Sequence, residues 1–90
     1  MAKVTIYTTQ VCPYCVQAKR LLTKKGLKYE EIDVTRDPEL RRKMVQMAGG
    51  RMTVPQIFVG EKHIGDCDEI YAFERQGRLD AMLNPAESLS

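Results

Sequence analysis

Val4-Thr5-Ile6-Tyr7-Thr8-Thr9-Gln10-Val11-Cys12-Pro13-Tyr14-Cys15 is the stretch from which the rest of the chain can be read. Val4 to Thr8 is apolar and β-prone, with Val4 and Ile6 on one face, and predicts a strand. The helix-like run Val16 to Lys25 follows the second cysteine. Two thiols at i and i+3 in a first helical turn share a face, close enough to close a disulfide without moving the backbone. The same turn can hold one sulfur as a thiolate. The pair therefore reads as a two-electron switch and not as a structural staple.

Working outward, Ala18, Leu21 and Leu22 recur at helical spacing, and Lys24-Lys25-Gly26 supplies a cationic last turn and a stop. Lys28 to Val34 alternates as a second strand, Ile32 and Val34 on one side, Glu31 and Asp33 on the other. Asp37-Pro38 predicts an N-cap and first helical residue. Leu40, Met44, Met47 and Ala48 mark the buried stripe of a second helix that Gly49-Gly50 ends. Val54 to Gly60 reads as a central strand buried on both faces. Gly60-Glu61-Lys62 turns into a short strand, His63-Ile64. Asp66 or Asp68 caps a third helix carrying Ile70 and Phe73 and ending near Gly77. Arg78 to Leu83 adds a last short turn.

The order β-α-β-α-β-β-α starts with a parallel, right-handed crossover. An α/β fold follows: a four-stranded mixed β-sheet with helices on both faces. It resembles the thioredoxin-like arrangement.

The 90 residues suit a single domain, 1–90. A chain of this size buries roughly 60–65% of its unfolded surface, enough for one modest core. A net charge of +2 gives no reason to expect nucleic acid or membrane partners. Met1-Ala2-Lys3 runs into a strand without an apolar leader, so no secretory signal is expected. Three cysteines is an odd count for a secreted disulfide framework, and a reducing, cytoplasmic location is expected.

Cys12 falls at the N-cap of the first helix, where the amides of Tyr14 and Cys15 can point at its sulfur. Pro13 at the first helical position has no N–H and fixes φ for helix entry. The helix dipole adds partial positive charge. Cys12 is thus expected to have a lowered pKa and to be largely thiolate at pH 7, the nucleophilic form. Cys15, one turn in, is expected to keep its proton and to resolve the mixed disulfide.

Other readings stand beside this one. The cysteine pair with His63 and Cys67 could form a zinc site of three cysteines and one histidine, but a lone CxxC after a strand favours redox use. Pro55 opens a buried strand and needs an excuse. A cis bond in Thr53-Val54-Pro55 would leave the Val54 N–H and C=O unpaired to bind an extended peptide; an ordinary trans strand-entry proline is the alternative. Gly65-Asp66-Cys67-Asp68-Glu69 leads into a helix N-terminus, which attracts a carboxylate, with acidic side chains beside it for an amine; simple N-capping is the reading these residues alone favour.

Those three segments, in that order, resemble the glutaredoxin family over about residues 3 to 83, in its small, bacterial-type dithiol form. Cys12-Pro13-Tyr14-Cys15 is similar to that family's active site and Thr53-Val54-Pro55 to its cis-proline corner. Ile64-Gly65-Asp66-Cys67-Asp68 looks like its site for the γ-glutamyl end of glutathione. The resemblance implies a glutathione-disulfide oxidoreductase, monomeric, acting on glutathionylated or disulfide-containing proteins. It implies that Cys12 becomes glutathionylated and that a second glutathione regenerates it, with Cys15 resolving protein disulfides. Glutathione's cysteinyl backbone would pair with Val54 and its γ-glutamyl end would meet the Cys67 backbone and the Asp68 carboxylate, with Tyr14 lining the groove. Thr9 stands where many relatives carry Lys, which places the glycine carboxylate on Arg42, with Arg51 a lesser helper; solvent-facing charge is the plain reading of both arginines. Asp66 stands where Gly is more usual. Cys67 serves through its backbone or as an oxidisable third thiol.

The resemblance also carries rivals. A thioredoxin-type reductase would share the fold, but this chain has no Trp and places Pro-Tyr between the thiols. A 2Fe-2S cluster carrier would use Cys12 and glutathione as ligands across two chains, an arrangement Pro13 is expected to disfavour.

Overall fold

Residue spacing along β1 (Val4–Thr8) decides how the layers assemble. The computed structural model describes residues 3–84. Val4 and Ile6 point into one core and Tyr7 into another, because side chains alternate along a strand. β1 pairs in parallel with β2 (Tyr29–Asp33), Val4 opposite Tyr29, and antiparallel with β3 (Gln56–Val59), Ile6 opposite Ile57. β4 (Lys62–Gly65) closes the other edge, giving the order β2-β1-β3-β4.

The face below Val4 and Ile6 is covered by α1 (Pro13–Lys24), α3 (Cys67–Arg75) and α4 (Leu79–Leu83). Ala18, Leu22, Ile70 and Leu79 are fully buried there. The opposite face carries α2 (Pro38–Met47), whose Met44 meets Tyr7, Val34 and Phe58. Tyr7 and Phe58 stack edge to face at 5.4 Å. Helices thus lie on both faces of a four-stranded mixed sheet, a thioredoxin-like α/β fold. No helix among the described residues is long and apolar enough to cross a membrane.

The elements stop where local chemistry stops them. Asp37 caps α2 by accepting from Leu40 N–H at 3.0 Å, with Pro38 next in line. Gly49 and Gly50, both at positive φ, take the chain out of α2 in a conformation that a Cβ would oppose. β2 is shorter than Lys28 to Val34, but Val34 N–H still donates to Thr8 O at 2.8 Å, so the strand frays into a turn. β3 begins at Gln56 and not at Val54, since Pro55 has no N–H to enter the ladder. Arg78 to Leu83 does form helix, from Leu79.

Between β3 and β4 the register shifts: Ile57 faces Gly65 while Phe58 faces His63. The extra residue in this bulge is Ile64, which turns into the core. Gly65 follows at φ +141, where a Cβ would sit 2.7 Å from Glu69 Cβ. This pinch seats α3 against the sheet edge and brings its N-terminus beside residues 53–55.

Candidate active site

Three segments meet at one end of the sheet. The first is the loop after β1, anchored by Gln10 N–H donating to Thr35 Oγ1 at 2.8 Å. It delivers Cys12 as the N-cap of α1, in extended backbone with φ −151 and ψ 98. Cys15 N–H donates to Cys12 Sγ at 3.1 Å. Of the two amides expected at this sulfur, Cys15's is the one that reaches it. Cys12 and Cys15 are joined as a disulfide with Cα atoms 5.2 Å apart. Cys12 is half-buried, whereas Cys15 is only 1% exposed. That asymmetry gives the pair one accessible sulfur and one protected sulfur.

The second segment is the corner before β3. The Val54–Pro55 bond is cis, and the Val54 carbonyl oxygen lies 3.8 Å from Cys12 Sγ. Val54 N–H enters no backbone hydrogen bond among the described residues.

The third segment is the start of α3. Asp66 is the cap: its carboxylate accepts from Glu69 N–H at 2.9 Å, and Glu69 Oε1 accepts from Asp66 N–H at 3.2 Å. This reciprocal capping decides between the two aspartates left open above. It leaves the Cys67 and Asp68 amides at the helix start unused by the cap. Asp68 is exposed at the rim.

A cavity of about 260 Å³ runs between these segments, lined by Tyr14, Thr53, Val54, Pro55, Asp66, Cys67 and Asp68. Tyr14 is 57% exposed and forms one wall, and Met52 at 69% stands beside the corner. Burial pushes the Cys67 thiol pKa up, and the Asp68 and Asp66 charges push it the same way. Cys67 is therefore a poor nucleophile and offers the cavity mainly its backbone.

The two arginines take different places. Arg42 is exposed on α2 and does not line the cavity. The residue before it, Arg41, donates to Met52 O at 3.1 Å and so is the α2 cation in contact with the corner. Adjacent helical residues diverge by about 100°, and spacing along the chain alone does not resolve them. Arg51 is not free charge. It pairs with Asp66 at 2.9 Å and with Glu69, clamping the cap of α3. Asp66 thus carries its own counter-ion.

His63 does not approach the cysteine pair but contacts Gln56 Oε1 at 2.5 Å. Among the described residues no group of three or more His, Cys, Asp or Glu is arranged to hold a metal ion. The Gln56–His63 contact was not foreseen. A buried polar residue in an otherwise apolar strand was the available signal.

A helix-capped, half-buried sulfur paired with a buried one, beside an unpaired strand-like corner, defines a dithiol oxidoreductase of the thioredoxin-fold class. The glutaredoxin family model matches residues 4–64. The glutaredoxin of Pseudomonas aeruginosa is 51% identical over 84 residues, covering 93% of this chain and 99% of that protein. The solution structure of glutaredoxin from Brucella melitensis is 51% identical and matches with a TM-score of 0.81, over 92% of this chain and 89% of that one. A buckwheat glutaredoxin–glutathione complex is 30% identical with a TM-score of 0.82, over 93% of this chain and 78% of that one. The chain belongs to the glutaredoxin family, and its Cys12–Cys15 pair is that of a thiol–disulfide oxidoreductase.

Proposed function

We propose that this protein uses glutathione to reduce protein–glutathione mixed disulfides and protein disulfides, working as a monomer in a reducing, cytoplasmic setting. The observation that carries this reading is the Cys12 sulfur, which accepts the Cys15 amide and lies 3.8 Å from the carbonyl oxygen of Val54, a residue of the cavity that Asp68 also lines. A helix N-terminus stabilises the thiolate over the thiol. Cys12 attacks the glutathione sulfur of a mixed disulfide. The Cys12–glutathione bond forms, the protein–glutathione bond breaks, and the protein leaves as a thiolate that takes up a proton. A second glutathione thiolate attacks the adduct, releasing oxidised glutathione and restoring Cys12. With a protein disulfide, Cys15 gives up its proton and displaces the reduced protein thiol from Cys12, leaving the Cys12–Cys15 disulfide. Two glutathiones then reduce that disulfide.

The binding pose follows from the unused polar groups. Glutathione's cysteinyl N–H and C=O pair with Val54 as an added strand would, between Thr53 and Pro55. Its γ-glutamyl carboxylate accepts from the Cys67 and Asp68 amides at the α3 N-terminus, and its ammonium meets the Asp68 carboxylate. Tyr14 packs over the middle of the tripeptide. Arg41 and Arg42 on α2 supply positive charge for the glycine carboxylate, Arg41 from nearer the corner. Pro13 holds the loop so that Cys12 alone is presented.

Mass spectrometry of the Cys15→Ser variant after exposure to oxidised glutathione tests the pose and the nucleophile together. One glutathione on Cys12, released by added glutathione, is expected. An adduct confined to Cys67, or none, contradicts the proposal.

A further inference from the structure

Gln56 is fully buried in β3, amid Pro55, Ile57 and Phe58, which are equally buried. A polar side chain sealed in such a place costs stability unless every group is bonded. Gln56 meets that condition by turning toward the corner. Its Nε2 donates to Thr53 O at 3.0 Å and to Thr53 Oγ1 at 3.2 Å, and its Oε1 faces His63 Nε2 at 2.5 Å.

These contacts fix the protons. The Thr53 carbonyl can only accept, so the Gln56 amide nitrogen must face it. Gln56 Oε1 then faces His63, and His63 Nε2 must carry the hydrogen it donates. The Gln56 amide nitrogen thus serves both Thr53 oxygens. Because Thr53 Oγ1 accepts from Gln56, the hydroxyl's own proton is left to point away from Gln56. Thr53 is exposed and lines the cavity. His63 is held from behind by β4, opposite Phe58, with ring centroids 5.1 Å apart.

We propose that His63 and Gln56 are positioning residues that act through Thr53, fixing the corner's backbone and presenting the Thr53 hydroxyl to the cavity as a donor. The inference rests on the reading that this corner docks glutathione. The relay runs from an edge strand through the core to the site, so a substitution at His63, which does not line the cavity, changes substrate affinity. Its oriented hydroxyl suits an acceptor on the bound tripeptide, a carbonyl or carboxylate oxygen.

Steady-state kinetics with glutathione and a glutathione mixed disulfide, for wild type, His63→Leu, His63→Gln, Thr53→Val and His63→Leu/Thr53→Val, tests this. A neutral hydrogen bond contributes enough that His63→Leu should raise KM about three- to tenfold with kcat little changed. His63→Gln, which keeps an N–H donor, should restore most of the affinity. The double variant should lose less than the product of the single effects. His63 is on an edge strand and half-buried, so thermal melts should show both His63 variants folded; Gln56→Met, close in volume, serves if they are not. An unchanged KM in folded His63→Leu, or full multiplication in the double variant, overturns the inference. Backbone amide NMR shifts of Thr53 and Val54 in the free protein give a readout independent of glutathione. Movement of both in His63→Leu is expected, and shifts that stay put overturn the relay whatever the substrate. Absence of glutathione turnover in wild type instead removes the functional reading while these shifts still judge the relay.

Discussion

Arg51 donates to the carboxylate of Asp66 across 2.9 Å and reaches Glu69 with its other nitrogen. One side chain therefore ties the lead-in to the Thr53-Val54-Pro55 corner to the capping box of α3. Residues of both line the same cavity, and this clamp joins them. Asp66→Ala removes both the cap and the ion pair and should cost about 1 kcal/mol, the usual worth of an N-cap. Arg51→Gln should cost less than about 1 kcal/mol, because the pair is partly exposed and screened. Urea denaturation of the two variants should reproduce that order. Equal losses would mean that the clamp, and not the cap, holds α3.

Gly65 should tolerate no side chain. Its φ of +141 disfavours L residues, and the added Cβ would meet Glu69 Cβ at 2.7 Å, an atom fixed to the helix backbone. Gly65→Ala should destabilise by about 1–3 kcal/mol. It should also weaken glutathione binding more than it changes Cys12 reactivity, since α3 and not α1 is displaced. Melting temperature, glutathione KM and the rate of Cys12 alkylation read the three effects separately.

His63 gives a pH signature. Burial, and then the Arg51 charge, hold its pKa below the ordinary 6.5. The unfolded chain therefore takes up this proton first as pH falls. Stability should decline from about pH 6.5 downward and level off below the folded pKa. Asp33 acts lower: hydrogen bonds from Thr35 hold its carboxyl below the ordinary 3.8, so its contribution persists until pH drops through that lowered value. The window just under pH 6.5 thus reads His63, and His63→Gln should flatten it.

Two methionines should part company. Met44 is fully buried against Tyr7, Val34 and Phe58, and Met44→Ala should cost about 2–5 kcal/mol through the cavity it leaves. Met52 is 69% exposed beside the corner, and Met52→Ala should change stability by less than about 0.5 kcal/mol. Paired thermal melts check both values.

Much of this molecule was legible because its signals are local. The alternation of Val4 and Ile6, the stripe of Ala18, Leu21 and Leu22, and Asp37-Pro38 each state their geometry within one strand or turn. The Cys12 N-cap was legible for the same reason. The Asp66 cap was legible too, through Glu69 three residues on, the spacing of a capping box. The contact of Arg41 with Met52 was out of reach: one residue is a rotation of about 100°, and only the placement of α2 beside Met52 decides which guanidinium touches the segment before the corner. Gln56 stood out as a polar residue in an apolar strand, but its partner His63 was hidden, since that contact depends on the β3–β4 register and on the bulge at Ile64. Arg51 needed the tertiary approach of α3.

The most direct test is turnover of a glutathione mixed disulfide, followed as NADPH consumption through glutathione reductase, in wild type, Cys12→Ser and Cys15→Ser. Activity in wild type and Cys15→Ser with none in Cys12→Ser is predicted, because the sulfur capped by the Cys15 amide belongs to the more exposed cysteine and lies 3.8 Å from the Val54 carbonyl oxygen. Full activity in Cys12→Ser, or no glutathione-coupled turnover in wild type, would contradict the account.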